Sequence, residues 1–209
     1  MDYEMIKNAM ADLDEDTLKE AVDSIMANNG EGAGDAVAAM QAGMDEVGQR
    51  FEEGEYFVGD LIYAGEIMTD LMATLKPALG GQTAESCGKM ILCTVKDDLH
   101  DIGKNIVRAI LEAGGFEVLD LGIDVPAQKI VDAAKAEDIK IIALSGVLTL
   151  ALDSMKATVE AFTAAGIRDD VKIIIGGAPV SAGACANVGA DEWAHSPQKT
   201  LEVCKGWVS

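Results

Sequence analysis

Between Asp2 and Leu79 the apolar residues recur at helical spacing, and polar punctuation divides them into about four helices. Met5, Ile6 and Met10 begin the first. Asp14 to Asp16 offer N-caps to a second, whose apolar face is Leu18, Ala21, Val22, Ile25 and Met26, and Asn28-Asn29-Gly30 ends it. A third runs from about Gly34 through Val37, Met40, Met44, Val47 and Phe51 to Gly54. The fourth carries Leu61, Ile62, Ile67, Met68, Leu71, Met72 and Leu75 ahead of Pro77. Four short-linked amphipathic helices predict an antiparallel bundle over residues 1–79.

Residues 80–88 have linker composition, which places a domain boundary there and leaves 89–209 as a second domain. Its pattern alternates. Strands are predicted at Met90 to Val95, Glu117 to Leu121, Ile139 to Leu144 and Lys172 to Ile175, with a weak last one at Asp191 to Trp193. Helices are predicted at Ile102 to Ala113, Ala127 to Ala136, Ala151 to Ala165, Ala182 to Val188 and Pro197 to Trp207. Five βα units predict a five-stranded, doubly wound parallel sheet of flavodoxin-like, Rossmann-type order.

Ligands of such sheets collect at the carboxyl ends of the strands. Three loops meet there. The first, after Val95, carries Asp98, His100 and Gly103; His100 lies between two aspartates and is one of two histidines in the chain. The second is Ser145-Gly146-Val147-Leu148-Thr149, and the third Gly176-Gly177-Ala178-Pro179. Small and hydroxyl residues let a bulky ligand approach the backbone. Taken singly, each has an ordinary reading as a polar pair, a helix cap or a turn. The other histidine, His195, reads as a surface or ligand-lining residue.

Composition narrows the classes. The 209 residues carry a formal charge of −20, which opposes binding to a phosphate backbone, so nucleic acid is not an expected partner. The acid excess serves solubility or docking to a basic partner. Only 4% of residues are aromatic, which argues against an all-β sandwich. Cys87, Cys93, Cys185 and Cys204 have no metal-ligand spacing and read as reduced structural thiols. No apolar run has membrane-spanning length and no signal-peptide pattern follows Met1, so a soluble cytoplasmic protein is expected.

The pattern D-x-H-x-x-G, then S-x-L, then G-G resembles the signature of cobalamin-binding domains of the methionine synthase and methylmalonyl-CoA mutase type. Here it is Asp98, His100 and Gly103, then Ser145 with Val147 in place of the usual Leu, then Gly176-Gly177. Val47-Gly48-Gln49-Arg50-Phe51-Glu52-Glu53-Gly54-Glu55-Tyr56-Phe57-Val58 resembles the helical cap of the methylcobalamin-binding subclass. Bundle plus corrinoid domain together resemble the small corrinoid proteins of anaerobic methyltransferase systems.

That resemblance implies a base-off cobalamin with His100 as the lower axial cobalt ligand and Asp98 as acceptor for the other imidazole nitrogen. It further implies cofactor contacts from Leu99, Asp101, Ile102 and Gly103 around His100, and from Ser145, Val147, Thr149, Gly176, Gly177, Ala178 and Pro197 toward the nucleotide tail. Phe51 and Val58 match residues packed over the corrin's upper face, although ordinary bundle core is the other reading for them. The family has a Ser two residues after the position of Thr149. This chain has Ala151, so a relay from His100 is expected to stop at Asp98 or pass to water.

The implied function is a non-catalytic methyl carrier serving O-demethylase, methylamine, methanol or betaine systems. Its partners would be a substrate-specific methyltransferase, a second methyltransferase with tetrahydrofolate or a thiol as acceptor, and a reductive activase. The 80–88 segment would be the hinge on which the bundle moves aside. A cobalamin-binding sensor or storage protein is the alternative. A sensor needs an output module, for which this acidic chain leaves no sequence.

Overall fold

The computed structural model describes residues 2–79 and 87–208. Most of the predicted linker and hinge, residues 80–86, lies outside the described residues. The chain divides into two compact units, a helical one that takes in the residues up to Leu79 and an α/β one that takes in nearly all from Cys87 on.

The helical unit consists of α1 (Tyr3–Ala11), α2 (Glu15–Ala27), α3 (Ala33–Glu52) and α4 (Val58–Leu75). Asp2 and Asp14 cap the first two, their carboxylates accepting from the Met5 and Thr17 amides at 3.1 Å. Asn29 and Gly30 end α2 in left-handed conformation, as the Asn-Asn-Gly run requires. The predicted faces are the buried ones: Ile6, Met10, Leu18, Ile25, Met40, Met44, Leu61 and Met68 are almost fully removed from solvent. Packing of α1 on α3 depends on Gly43, where a Cβ would stand 2.5 Å from both the Lys7 carbonyl oxygen and the Met10 Cβ. The Arg50 guanidinium ties the loop before α4 to the end of α1, donating to the Ala11 carbonyl, the Asp12 carboxylate and the Tyr56 hydroxyl.

In the α/β unit, strands β1 (Gly88–Val95), β2 (Phe116–Val125), β3 (Ile141–Ser145), β4 (Lys172–Gly176) and β5 (Glu192–Ala194) pair in the order β2-β1-β3-β4-β5, all parallel. Helices α5 (Asp101–Ala113), α6 (Ala127–Ala136), α7 (Ala151–Ala164), α8 (Ala182–Val188) and α9 (Pro197–Val208) alternate with them. Ile91, Cys93, Ile142, Leu144, Ile173 and Ile175 pack with Phe162 and Met155 of α7 in the core. This is the predicted doubly wound sheet.

Three strand boundaries differ from expectation by two or more residues. The first strand begins at Gly88, inside the predicted linker. The second continues four residues past Leu121, because an irregular pairing with β1 absorbs Gly122 and Asp124, residues that ordinarily read as loop. The third starts at Ile141, since Asp138 turns left-handed and the Ile139 amide donates to the Ala134 carbonyl, closing α6 before any pairing begins.

No helix among the described residues is long and apolar enough to cross a membrane. The four cysteines form no disulfide. Burial pushes the thiols of Cys93 and Cys204 up to about 12, which makes them inert packing groups.

Candidate functional site

The strand order reverses between β1 and β3, and at such a switch point the loops leaving the two strands diverge and open a crevice. Thr94, Ser145, Gly176 and Ala194 stand side by side in register across β1, β3, β4 and β5. The three predicted loops therefore leave the sheet from one edge, and the first two flank the switch point.

Asp98 joins those two loops. Its residue is 1% exposed. One carboxylate oxygen accepts from the His100 amide at 3.0 Å and lies 3.2 Å from His100 Nδ1. The other accepts from the Val147 amide at 2.8 Å and from the Leu148 amide at 3.4 Å. Burial alone raises the Asp98 carboxyl, but the amides of Val147, His100 and Leu148 outweigh it and hold the group below its ordinary value. Asp98 is thus an ionised acceptor that orients His100 with Nδ1 inward and Nε2 free. The His100 side chain is 49% exposed, so the free nitrogen has room for a partner.

The second oxygen, where a relay would continue, is occupied by backbone amides. Ala151 is buried in the core, and a Cβ on Gly146 would stand 2.4 Å from its own Cβ. Among the described residues, the partners of that oxygen are the Val147 and Leu148 amides.

Around His100 the surface is apolar. Leu99, Ile102, Val147, Leu148 and Leu150 are all exposed, Ile102 by 75%. Asp101 and Gly103 are also exposed in the first turn of α5. A Cβ on Gly103 would meet nothing within 4 Å, so no described residue demands a glycine there. Gly177 differs. Its φ is +119°, and a Cβ would lie 2.0 Å from the Gly146 carbonyl oxygen, so its glycine is required by the neighbouring loop.

Ser145 is half-buried at the end of β3, Gly176 half-buried at the end of β4, Thr149 and Ala178 are exposed, and Pro197 starts α9 half-buried. His195 is exposed and meets Trp193 edge to face at 5.2 Å. In the helical unit Phe51 is half-buried while Val58 is 45% exposed beside Phe57, so ordinary core packing does not account for Val58.

Two residues matter to this geometry beyond the predicted site residues. Gly146 leaves room for Ala151, whose Cβ would stand 2.4 Å from a Cβ at that position. Lys104, 2% exposed, forms an ion pair with Asp120 of β2 that ties α5 to the sheet. The signal for Lys104 was its spacing of three and seven residues before Val107 and Leu111, which puts it on the inward face of α5.

Among the described residues no three His, Cys, Asp or Glu side chains converge as they would around a bare ion. His100 alone suits a metal that brings its own equatorial ligands. Residues 88–200 match the B12 binding domain model, and residues 3–76 match a second B12 binding domain model. The chain belongs to the B12-binding domain family. It is 36% identical to trimethylamine corrinoid protein 1 of Methanosarcina acetivorans over 192 residues, covering 91% of this chain and 89% of that one. A cobalamin-binding protein of Desulfitobacterium hafniense DCB-2 superposes with a TM-score of 0.90 at 50% identity over the full length of both chains. The methanol:cobalamin methyltransferase complex of Methanosarcina barkeri gives 0.81 at 25% identity, covering 98% of this chain and 78% of that one.

Proposed function

We propose that this chain is the methyl-carrying corrinoid subunit of a methyltransferase system, holding cobalamin base-off with His100 as lower axial ligand. The observation that carries the reading is the single-acceptor grip of Asp98, which spends one oxygen on the His100 ring and backbone and the other on the loop after β3. That grip holds the ring with Nδ1 toward Asp98 and Nε2 outward, and removes the entropy of orienting it at the moment of ligation. When bound, the corrin's cobalt supplies the centre that accepts and donates the methyl group.

The aliphatic side chains of Leu99, Ile102, Val147, Leu148 and Leu150 would lie under the macrocycle and shed water on binding. Ser145, Thr149, Gly176, Gly177, Ala178 and Pro197 would line the tail's path from the sheet edge. Phe51 and Val58 would serve the upper face from a bundle of residues 1–79, with 89–209 as the cofactor domain. Resemblance to trimethylamine corrinoid protein and to the methanol system supports a carrier for small N- or O-methyl donors, working with a substrate-specific methyltransferase, a second methyltransferase and a reductive activase.

Purified full-length protein titrated with hydroxocobalamin tests this. We expect stoichiometric uptake, and after reduction to Co(II) an electron paramagnetic resonance spectrum split by one axial nitrogen. In protein grown with 15N-histidine the splitting should change from a triplet to a doublet, and His100→Ala should weaken uptake by at least about tenfold. Protein that takes up no cobalamin overturns the carrier reading; uptake with a splitting that 15N-histidine leaves unchanged overturns the ligand assignment.

A further inference from the structure

Asp98 can aim the His100 ring only if its own backbone is held. Thr94, the penultimate residue of β1, is 0% exposed. Its hydroxyl donates to the Asp98 carbonyl at 2.6 Å and accepts from the Asp124 amide at 2.9 Å. The Asp124 amide is shared with the Asp98 carbonyl at 3.1 Å. In return the Asp124 carboxylate accepts from the Asp97 amide at 2.7 Å. The Asp98 amide donates to the Val95 carbonyl at 3.1 Å. The Asp97 amide, the Asp98 amide and the Asp98 carbonyl thus each have a partner in β1 or β2.

The arrangement exists because β2 is irregular. Pairing of β1 with β2 slips between Leu92 and Cys93 and again between Cys93 and Val95. Gly122 takes φ +90° and Asp124 φ +52°, and across the gap Asp97 takes φ +65°. Aspartate tolerates the left-handed region better than most residues. Bulges next to functional sites re-aim side chains, and this one turns Asp124 onto the loop that carries His100.

We propose that Thr94 and Asp124 are positioning residues for axial ligation: they lock the Asp97-Asp98 backbone so that the Asp98 carboxylate presents His100 at a fixed angle. This rests on the reading of His100 as cobalt ligand. Threonine suits the post because its one hydroxyl donates and accepts at once. Valine of the same shape can do neither, and serine can do both.

The test uses full-length Thr94→Val, Thr94→Ser, Asp124→Ala and Asp124→Asn, with Thr158→Val as control. Thr158 is also buried, and its hydroxyl donates at 2.8 Å to the Ser154 carbonyl within α7, away from the His100 loop. Two readouts are needed. In cofactor-free protein, amide exchange at His100 and Val147 should accelerate in Thr94→Val and Asp124→Ala but not in the control. In hydroxocobalamin titrations the same two variants should bind about tenfold more weakly and, as Co(II), lose or blur the axial-nitrogen splitting. Thr94→Ser and Asp124→Asn should restore both.

Wild-type affinity and splitting in Thr94→Val overturn the proposal; should that variant not fold, the same result in Asp124→Ala overturns it. Should wild-type protein bind no cobalamin, the carrier reading falls, and the exchange measurement alone still decides whether Thr94 and Asp124 lock the loop.

Discussion

The two units of this chain are held together by different physics. The helical unit is a core of methionine and aliphatic side chains: Met10, Met40, Met44 and Met68 are all buried, and polar ties such as that of Arg50 lie at its margin. Residues 2–79 carry 18 acidic side chains against four basic, whereas residues 87–208 carry 17 against 12. The α/β unit instead buries specific polar groups, Thr94, Asp98 and Lys104, each with named partners. Methionine is flexible and tolerates rearrangement, and buried hydrogen-bond networks do not. Adaptability therefore resides in the bundle and geometric definition in the sheet edge. The aromatic residues divide along the same line. Both tryptophans, Trp193 and Trp207, lie in the α/β unit and all three tyrosines, Tyr3, Tyr56 and Tyr63, in the helical one, so fluorescence and near-ultraviolet dichroism report the units separately.

The largest effect should come from breaking a buried polar tie. Lys104→Met leaves Asp120 without its main partner and should cost the α/β unit about 3 kcal/mol in urea unfolding followed by tryptophan fluorescence, with the tyrosine signal unmoved. Burial raises the Asp120 carboxyl, but the Lys104 ammonium, the Gly122 amide and the charge of Arg108 overcome this and hold it below its ordinary value. A carboxylate depressed in the folded state stabilises fully above the unfolded value of about 3.9 and loses that contribution as pH falls through the lower folded value. The wild-type advantage over Asp120→Asn should accordingly be constant near neutrality and vanish in acid. An advantage that grew as pH fell would show that Asp120 is not a stabilising anion.

A substitution of opposite kind tests the bundle. Gly43→Ala pushes a methyl group toward the Lys7 carbonyl and Met10 Cβ and should cost about 2 kcal/mol through separation of α1 from α3. Met44→Leu, equal in volume and similarly buried, should cost less than about 1 kcal/mol. These changes should lower the midpoint seen by tyrosine and helical dichroism and leave the tryptophan midpoint in place. A cost for Met44→Leu as large as for Gly43→Ala would mean that the bundle core is as shape-specific as the sheet edge.

The same contrast decides what could be read from sequence. Helices and strands follow from periodicity because burial imposes it residue by residue, and the order β2-β1-β3-β4-β5 follows from five βα units. His100, Asp98, Ser145 and Gly176 stand at strand ends, where short-range pattern is enough. Thr94, Asp124 and Lys104 act through partners 16 to 30 positions away in contacts that no local period encodes. Thr94 left a trace as the one hydroxyl in the apolar run Met90 to Val95, and Asp124 left none, since Gly122-Ile123-Asp124 looks like a loop. Gly177 showed the converse: its residue type was legible, but the partner it accommodates is Gly146.

The smallest effect concerns charge. With 18 acids against four bases, the bundle repels itself at low ionic strength, although some acids are placed to advantage: Asp2, Asp14 and Asp60 cap helices, Asp12 pairs with Arg50, and Glu15 pairs with Lys19 at 2.5 Å. Salt screens exposed charges beyond a Debye length of about 10 Å at 0.1 M, so the many weak repulsions should fade before the short pairs do. Raising sodium chloride from about 0.01 M to about 0.5 M should stabilise the bundle by less than about 1 kcal/mol and change the α/β unit less still, because its net charge is smaller and its decisive pairs are buried. A bundle that lost stability with salt would reverse the inference: caps and pairs would outweigh repulsion, and the acid excess would be a source of bundle stability rather than a cost accepted for solubility or for a basic partner.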